Sequence, residues 1–289
     1  MRPNIPTTLL LKFTASALTA AATFLAIRRF RRDDSLAALR REIREALQQL
    51  VPRPPSIFII GFRSQGKSSL VNTACRAVAS ESGPVLLLRA ETAPPGAAPV
   101  SHAPRTVRAP VADPGGAGVE PVAVDLIDAP PLPEASLLTR ADVESALAGP
   151  PAPECVVLVL RCSGSIKERV IAVKKLTDVA SVARERGLHL VVVLTHKRVL
   201  KNMKQKEELR REVAFRARTD CVYFIENYTA SAKISIDHPT TIKSDYETNF
   251  TALSIVRQCV EFTRLYRCHS LRSSSLNGMV TFTATPASK

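Results

Sequence analysis

A run of small and apolar residues, Ser56 to Ile60 (SIFII), leads directly into Gly61-Phe62-Arg63-Ser64-Gln65-Gly66-Lys67-Ser68-Ser69. The stretch satisfies G-x-x-x-x-G-K-S/T in full. In that pattern the glycines let backbone N–H groups wrap phosphate oxygens, the Lys67 ammonium reaches the β and γ phosphates, and the Ser68 hydroxyl coordinates Mg²⁺. The helix after the loop points its positive end at the anion. Gly61, Arg63, Ser64, Gln65, Gly66, Lys67, Ser68 and Ser69 are therefore the phosphate-side candidates. Such a loop works only between a strand and a helix of an alternating sheet, so it commits the chain to an α/β architecture.

The rest of the body agrees. VAVDLID (122–128), CVVLVL (155–160), LHLVVVLT (188–195) and CVYFI (221–225) are predicted strands. KSSLVNTACRAVAS, IKERVIAVKKLTDVASVARERG, KQKEELRREVAFRAR and YETNFTALSIVRQCVEFTRLYRC are predicted helices. Apolar strands spaced by helices mean a mostly parallel sheet covered on both faces, a three-layer P-loop NTPase fold. Between Gly83 and Pro121 the pattern lapses into Pro, Ala and Gly, too long for an ordinary connection. The second half of that stretch also reads as a hairpin, strand 106–112 joined to strand 121–128 through a Gly-rich turn.

A phosphate loop needs an acid at the end of a neighbouring strand to hold Mg²⁺ through water. Asp128 closes VAVDLID at the right distance. Asp125 is the fallback, although it points to the opposite face of that strand. Thr106 is the leading candidate to complete the magnesium shell, with Thr92 behind it.

Residues 5–27 carry one charge, Lys12, and run into RRFRR. About twenty such residues in a helix match a bilayer core, and arginines on the C-terminal side would keep the remainder cytosolic. An uncleaved membrane anchor, on an organelle outer membrane for instance, is one expectation. The absence of acidic residues before Asp33 equally suits a mitochondrial or plastid transit peptide. After Asp33 and Asp34, read as caps, Leu36, Leu39, Ile43, Leu47 and Leu50 recur at helical spacing, and PRPP ends the helix. Its apolar face packs on the domain behind it, or forms a dimer seam or membrane contact. The organisation expected is an anchor or targeting segment (1–32), an amphipathic helix with a Pro-rich linker (33–55), the P-loop domain (56–269) and a Ser/Thr-rich loose tail (270–289).

Charge is lopsided, with 40 Lys plus Arg against 26 Asp plus Glu in 289 residues. A polyanionic neighbour is implied, but with no Trp and four Tyr there is little material for base stacking, so nucleic acid is the weaker fit. The basic run Lys197 to Arg218 contains local opposite-charge pairs such as Glu207 with Arg211, as a solvated helix face does. Cys75, Cys155, Cys162, Cys221, Cys259 and Cys268 show no zinc spacing, and neither do His189 and His238; the cysteines read as small core residues of a reducing compartment.

Over about residues 56–268 the chain resembles the translation-factor-related (TRAFAC) class of P-loop GTPases. GFRSQGKSS, with Ser64 and the double Ser68-Ser69, looks like the dynamin-type phosphate loop. VVVLTHKR and VYFIENYT look like the base-recognition segments of interferon-induced antiviral GTPase-like proteins, where T-H-x-D and a strand-end N-Y occur. The resemblance implies GTP or GDP with Mg²⁺, Thr195 and His196 on the base side, Asn227 near the base-lining loop, and Thr106 and Asp128 as magnesium-linked switch residues. It makes Arg63 and Ser64 the catalytic candidates, Arg63 as an arginine finger in cis, and it implies a homodimer.

Three positions depart from that class. Where T-H-x-D has an acid accepting from guanine N1 and N2 there is Arg198, which only donates. Where D-x-x-G has a glycine N–H for the γ-phosphate there is Pro131, which has none. Leu132 replaces the water-orienting glutamine, so hydrolysis is expected to be slow or partner-dependent. The leading reading is a membrane-anchored GTP-binding switch or scaffold. The others are a nucleotide-degenerate P-loop adaptor and a nonselective NTP- or ATP-binding protein.

Overall fold

Side chains that alternate along the central strand divide the interior in two. In β1 (Ser56–Gly61), Ile57 and Ile59 enter one apolar cluster while Phe58 and Ile60 enter the other, and every residue of the strand is buried. The computed structural model describes residues 7–83, 85–92, 103–113, 121–229 and 244–280, the side chains of 7–15, 17 and 272–280 excepted.

Along the chain α1 (Thr7–Gln48) is followed by β1, α2 (Lys67–Val78), β2 (Arg105–Pro110), β3 (Ala123–Asp128), α3 (Arg140–Ala146) and β4 (Cys155–Arg161). Then come α4 (Ile166–Glu185), β5 (His189–Thr195), a short 3-10 turn (Lys197–Val199), α5 (Met203–Ala217), β6 (Val222–Phe224) and α6 (Tyr246–Val280). The sheet order is β2-β3-β1-β4-β5-β6; every pairing is parallel except that of β2 with β3. Helices α1, α2 and α6 cover one face and α3, α4 and α5 the other. The predicted three-layer, mostly parallel fold is the one observed. The expected hairpin is present as β2 antiparallel to β3, with Thr106 opposite Ile127. Its Gly-rich turn (114–120), the Pro-rich stretch 93–102 and His238 lie outside the described residues.

The N-terminal expectation needs correction. Among the described residues no helix is long and apolar enough to cross a membrane, so the transmembrane reading of 5–27 has no support from the structure. Its first two residues and the side chains of 7–15 fall outside the description, and Thr19, Thr23 and the alanines 20–22 dilute the apolar content of residues 16–27. Nor do Asp33 and Asp34 cap a separate helix. No Pro or Gly stands between Thr7 and Gln48 to stop α1, and Asp33 pairs back to Arg29 one turn earlier, at 4.0 Å. The face Leu36, Leu39, Ile43, Leu47 and Leu50 is buried in the first cluster, on the domain behind it, as one sequence reading had it. Helix α6 continues to Val280, through the first half of the expected tail.

Helix α3 was not foreseen, although its signal is local. Thr139 caps it by accepting from the Asp142 N–H, while Asp142 accepts from the Thr139 N–H at 2.8 Å. Cys75, Cys155, Cys162 and Cys259 are buried free thiols, consistent with core residues.

One charge cluster joins the two terminal helices to the sheet. Arg267 on α6 donates Nε and Nη2 to the Glu154 carboxylate, both at 2.9 Å, and further bonds to the carbonyls of Leu50 (2.9 Å), Arg53 (2.8 Å) and Pro54 (3.1 Å). Glu154, only 4% exposed, also accepts from the Ser56 N–H at 3.0 Å. Arg53, largely exposed, stands 3.7 Å from the same carboxylate, but loss of Arg267 removes both close hydrogen-bonded contacts from a buried charge, which is costly. Replacing Arg267 by Ala is expected to lower the unfolding free energy by about 3 kcal/mol in urea titrations. Arg264→Ala, whose partners are exposed, should change it by less than about 0.5 kcal/mol. Equal effects would mean that the clamp contributes no more than a surface pair.

Candidate functional site

The phosphate loop bridges the buried end of β1 and the first turn of α2, and its two glycines are there for steric reasons. A Cβ on Gly61 would lie 2.5 Å from the Val159 carbonyl oxygen on β4, and Gly66 has φ +88°, a conformation that costs glycine little. Ser64 also has positive φ, at 58°. Arg63 and Ser64 sit exposed at the crown of the loop.

Lys67 is buried, and its Nζ donates to the carbonyls of Gly61 (3.2 Å) and Phe62 (3.3 Å). Burial lowers its pKa below the usual lysine value, with the nearby Asp128 carboxylate acting the other way. An ammonium held in this manner is a charge awaiting an anion. The loop amides and the start of α2 supply the rest of a phosphate cradle.

Ser68 donates its hydroxyl to Asp128 Oδ2 at 2.6 Å, so the two predicted magnesium residues meet. The second oxygen, Asp128 Oδ1, is buried and has no hydrogen-bond partner among the described residues. Burial raises the Asp128 pKa, while the Ser68 hydrogen bond and the Lys67 and Arg105 charges oppose that rise. A hydroxyl, a carboxylate with an oxygen to spare and adjacent phosphate oxygens form the hard-oxygen set that Mg²⁺ prefers, so the residues present fit that ion. Thr106 is not brought to this pair. It is the second residue of the edge strand, exposed, with no hydrogen bond to Ser68 or Asp128. Thr92 is exposed at the end of the described segment that precedes the Pro-rich stretch. Asp125, the fallback, points the other way as its place in the strand predicts, and is engaged by Arg108 at 2.8 and 3.0 Å.

The base-side residues turn out to hold the loop as well. Thr195, completely buried, donates its hydroxyl to the Gln65 carbonyl at 2.9 Å, and Asn227 Nδ2 donates to the Gly66 carbonyl at 3.2 Å. Gln65 returns the tie, its side-chain oxygen accepting from the Arg161 N–H at 2.6 Å. His196 takes a left-handed turn, φ 56°, with Nδ1 3.0 Å from the Thr195 hydroxyl. Gly66, Ser69, Thr195, His196, Glu226 and Asn227 line one cleft beside the loop.

Glu226 was missed. Among the described residues it is the sole carboxylate lining that cleft, and its Oε2 accepts from the backbone N–H of Arg198 at 3.2 Å. The Arg198 side chain itself is exposed. The position where an acid is wanted in sequence is thus occupied by an arginine, while an acid from the next strand end stands beside it in space. The signal was the Glu preceding Asn227 in IENY.

The segment after Asp128 is pinned. Ala129 N–H donates to Ile59 O at 3.1 Å and Leu132 N–H to Gly61 O at 3.0 Å. Pro130 and Pro131 have no N–H to offer. Leu132 is buried in the second cluster, where it cannot orient water.

No family model matches the chain, and no curated protein matches it in sequence. Solved structures similar to it include Toc33 from Arabidopsis thaliana as a dimerization-deficient mutant (TM-score 0.48), in complex with GDP and Mg²⁺ (0.46), and in complex with Mg²⁺ and GMPPNP (0.47). Each is 14% identical, over 78% of this chain and 92% of that chain.

Because the folded pKa of Asp128 lies above its unfolded value, ionising it disfavours the empty fold. That cost is absent below the unfolded pKa, grows as pH rises between the two values and is fully present above the raised one. Asp128→Asn is therefore expected to match or exceed the parent's thermal stability at neutral pH without ligand, the difference vanishing in acid. The same variant should lose the stabilisation that Mg²⁺ with nucleotide confers on the parent. A variant that is less stable when empty would contradict this account of the carboxylate.

Proposed function

We propose that the chain binds a guanine nucleotide, GTP or GDP, with Mg²⁺, and acts as a slow or partner-dependent GTPase of switch or scaffold type. The observation that carries the reading is the meeting of Ser68 with Asp128 beside Lys67, with one Asp128 oxygen left over for a cation. In it, Lys67 and the loop amides hold the phosphates, and Ser68 and Asp128 hold the metal, Asp128 through water. Bound Mg²⁺ would supply charge neutralisation across the β and γ phosphates.

Guanine is preferred over adenine because N1 and N2 donate, and Glu226 places an acceptor in the cleft that His196 and Asn227 also line. Asn227 Oδ1, buried and without a hydrogen-bond partner among the described residues, is a second acceptor there. Arg63 and Ser64, exposed at the crown of the loop, remain the catalytic candidates, Arg63 as the cation that would meet phosphate charge. Thr106 is kept as a switch residue only if β2 gives up its first rungs. Placement in the dynamin-type or antiviral-like branch of the class rests on the loop and the two strand-end segments alone. A nucleotide-dependent homodimer is part of the same proposal.

Slow turnover is the consequence of the pinned segment 129–132, which offers neither a backbone donor to the γ-phosphate nor a side chain to orient water. That same feature favours the second reading, an adaptor that keeps nucleotide without cycling it.

Equilibrium titration of the purified protein with fluorescent GTP, GDP and ATP analogues in Mg²⁺ separates these readings. Guanine-selective binding is expected, weakened about 100-fold or more by Lys67→Ala. Glu226→Gln should remove most of the guanine preference, about tenfold, while sparing phosphate affinity. Selective binding unaffected by Glu226→Gln would reassign the base reader. Binding of none of the three would reject the nucleotide reading.

A further inference from the structure

Helix α1 does more than cover the core, because of where it leaves the body. Its C-terminal half runs parallel to α6. Ser35 Oγ lies 3.0 Å from the Tyr246 hydroxyl, Glu42 pairs with Arg257 at 2.8 Å, and Gln49 accepts from Arg264 at 3.2 Å. The start of α6 is on the nucleotide side of the sheet. Asp245, next to Tyr246, exchanges hydrogen bonds with the hydroxyl of Tyr228, the neighbour of Asn227, and Thr248 donates to the Glu226 carbonyl at 3.2 Å. The far end of α6 is at the opposite edge, where Arg267 grips Glu154. The chain before Ser35 therefore extends past the nucleotide face, by about 40 Å if straight at 1.5 Å per residue.

That projecting half touches little. Residues 18–34 are exposed without interruption, among them Leu18, Phe24, Leu25, Ile27 and Phe30 at 50–73% exposure. Arg28, Arg29, Arg31 and Arg32 follow or interleave with them, and Arg32 also stacks over the Tyr246 ring, 5.1 Å from its centroid. Large apolar side chains interleaved with guanidinium groups match a surface that is anionic outside and apolar just beneath. A nucleic acid would use the arginines and leave the apolar groups in water.

We propose that the projecting half of α1 embeds in the headgroup region of an anionic lipid bilayer, with the axis it shares with α6 along the membrane plane. The strands, which α6 follows from the Glu226 end to the Glu154 end, then run along the membrane, and the cleft beside the phosphate loop opens sideways and not into the lipid. It rests on the exposure and charge of residues 18–34 and not on the nucleotide reading, and it needs no helix that spans.

The test uses the full chain without nucleotide, so its outcome is independent of whether the phosphate loop is occupied. The protein is expected to float with vesicles of phosphatidylcholine containing phosphatidylserine and to remain behind with phosphatidylcholine alone. Reversal of the four arginines to glutamate should cut the partition at least about tenfold. Phe24→Ser with Phe30→Ser should weaken it while leaving the charge intact. For orientation, a donor dye is placed either on the exposed Cys268 or, in a Cys268→Ser background, on Val199→Cys, which lies just beyond the end of β5. Energy transfer to a headgroup acceptor should be no greater from position 199 than from Cys268. Equal binding to neutral vesicles, binding that survives charge reversal, duplex RNA captured through the same arginines in place of vesicles, or clearly greater transfer from position 199 would each overturn the proposal.

Discussion

The hydroxyl of Thr195 on the carbonyl of Gln65 is the contact on which the site depends. A phosphate loop is a stretch of backbone with few side chains of its own to hold it, and its amides serve an anion only if they are already aimed. Here the loop is bonded from three sides: by Thr195 from the end of β5, by Asn227 from the segment after β6, and through Gln65 by the backbone of Arg161 at the end of β4. All three anchors stand at C-terminal ends of parallel strands, and parallelism comes from the helical crossovers that the apolar runs demand. The fold thereby brings residues far apart in sequence to one loop of nine.

The same edge concentrates unbalanced charge. Lys67 and Asp128 are each buried enough that burial pushes the pKa of each toward its neutral form, and each partly compensates the other. An arrangement of this kind is poor as a stabilising pair and good as a receptor, because a phosphate and a divalent cation would satisfy both at once. The opposite edge is built differently. Around Arg267 and Glu154 every charge is matched and nearly every hydrogen bond made, so that α1, the linker, β1, β4 and α6 are tied into one body. Stability sits at one end of the strands and unspent interaction at the other.

Much of this was legible beforehand where the physics is local. The loop pattern, the strand runs and the buried face of Leu36 to Leu50 declare themselves through spacing alone. Asp128 was identifiable because strand alternation separates it from Asp125, and the structure shows the two engaged by different partners on different faces. Failures occurred where a local cue was outvoted. Asp33 and Asp34 looked like caps, but an arginine-rich stretch with no Pro or Gly carries a helix straight through them. Thr106 was the leading candidate for the magnesium shell, but the strand the sequence also offered for 106–112 forms and holds it at the sheet edge against β3, away from Ser68. The membrane-spanning reading leaned on a run that Ala and Thr dilute.

By itself the sequence determined the layer architecture, the G-x-x-x-x-G-K-S loop and the pairing of Ser68 with Asp128, because each depends on period or on spacing within one or two elements. Only the tertiary structure decided that Glu226 rather than position 198 presents a carboxylate to the cleft beside the loop, that Leu132 is locked to Gly61, and that α1 emerges on the side of the sheet that carries the loop. Those facts depend on which strand ends lie side by side and on the direction in which two helices pack. Neither is encoded in any short stretch, since both result from burying all the apolar faces at once.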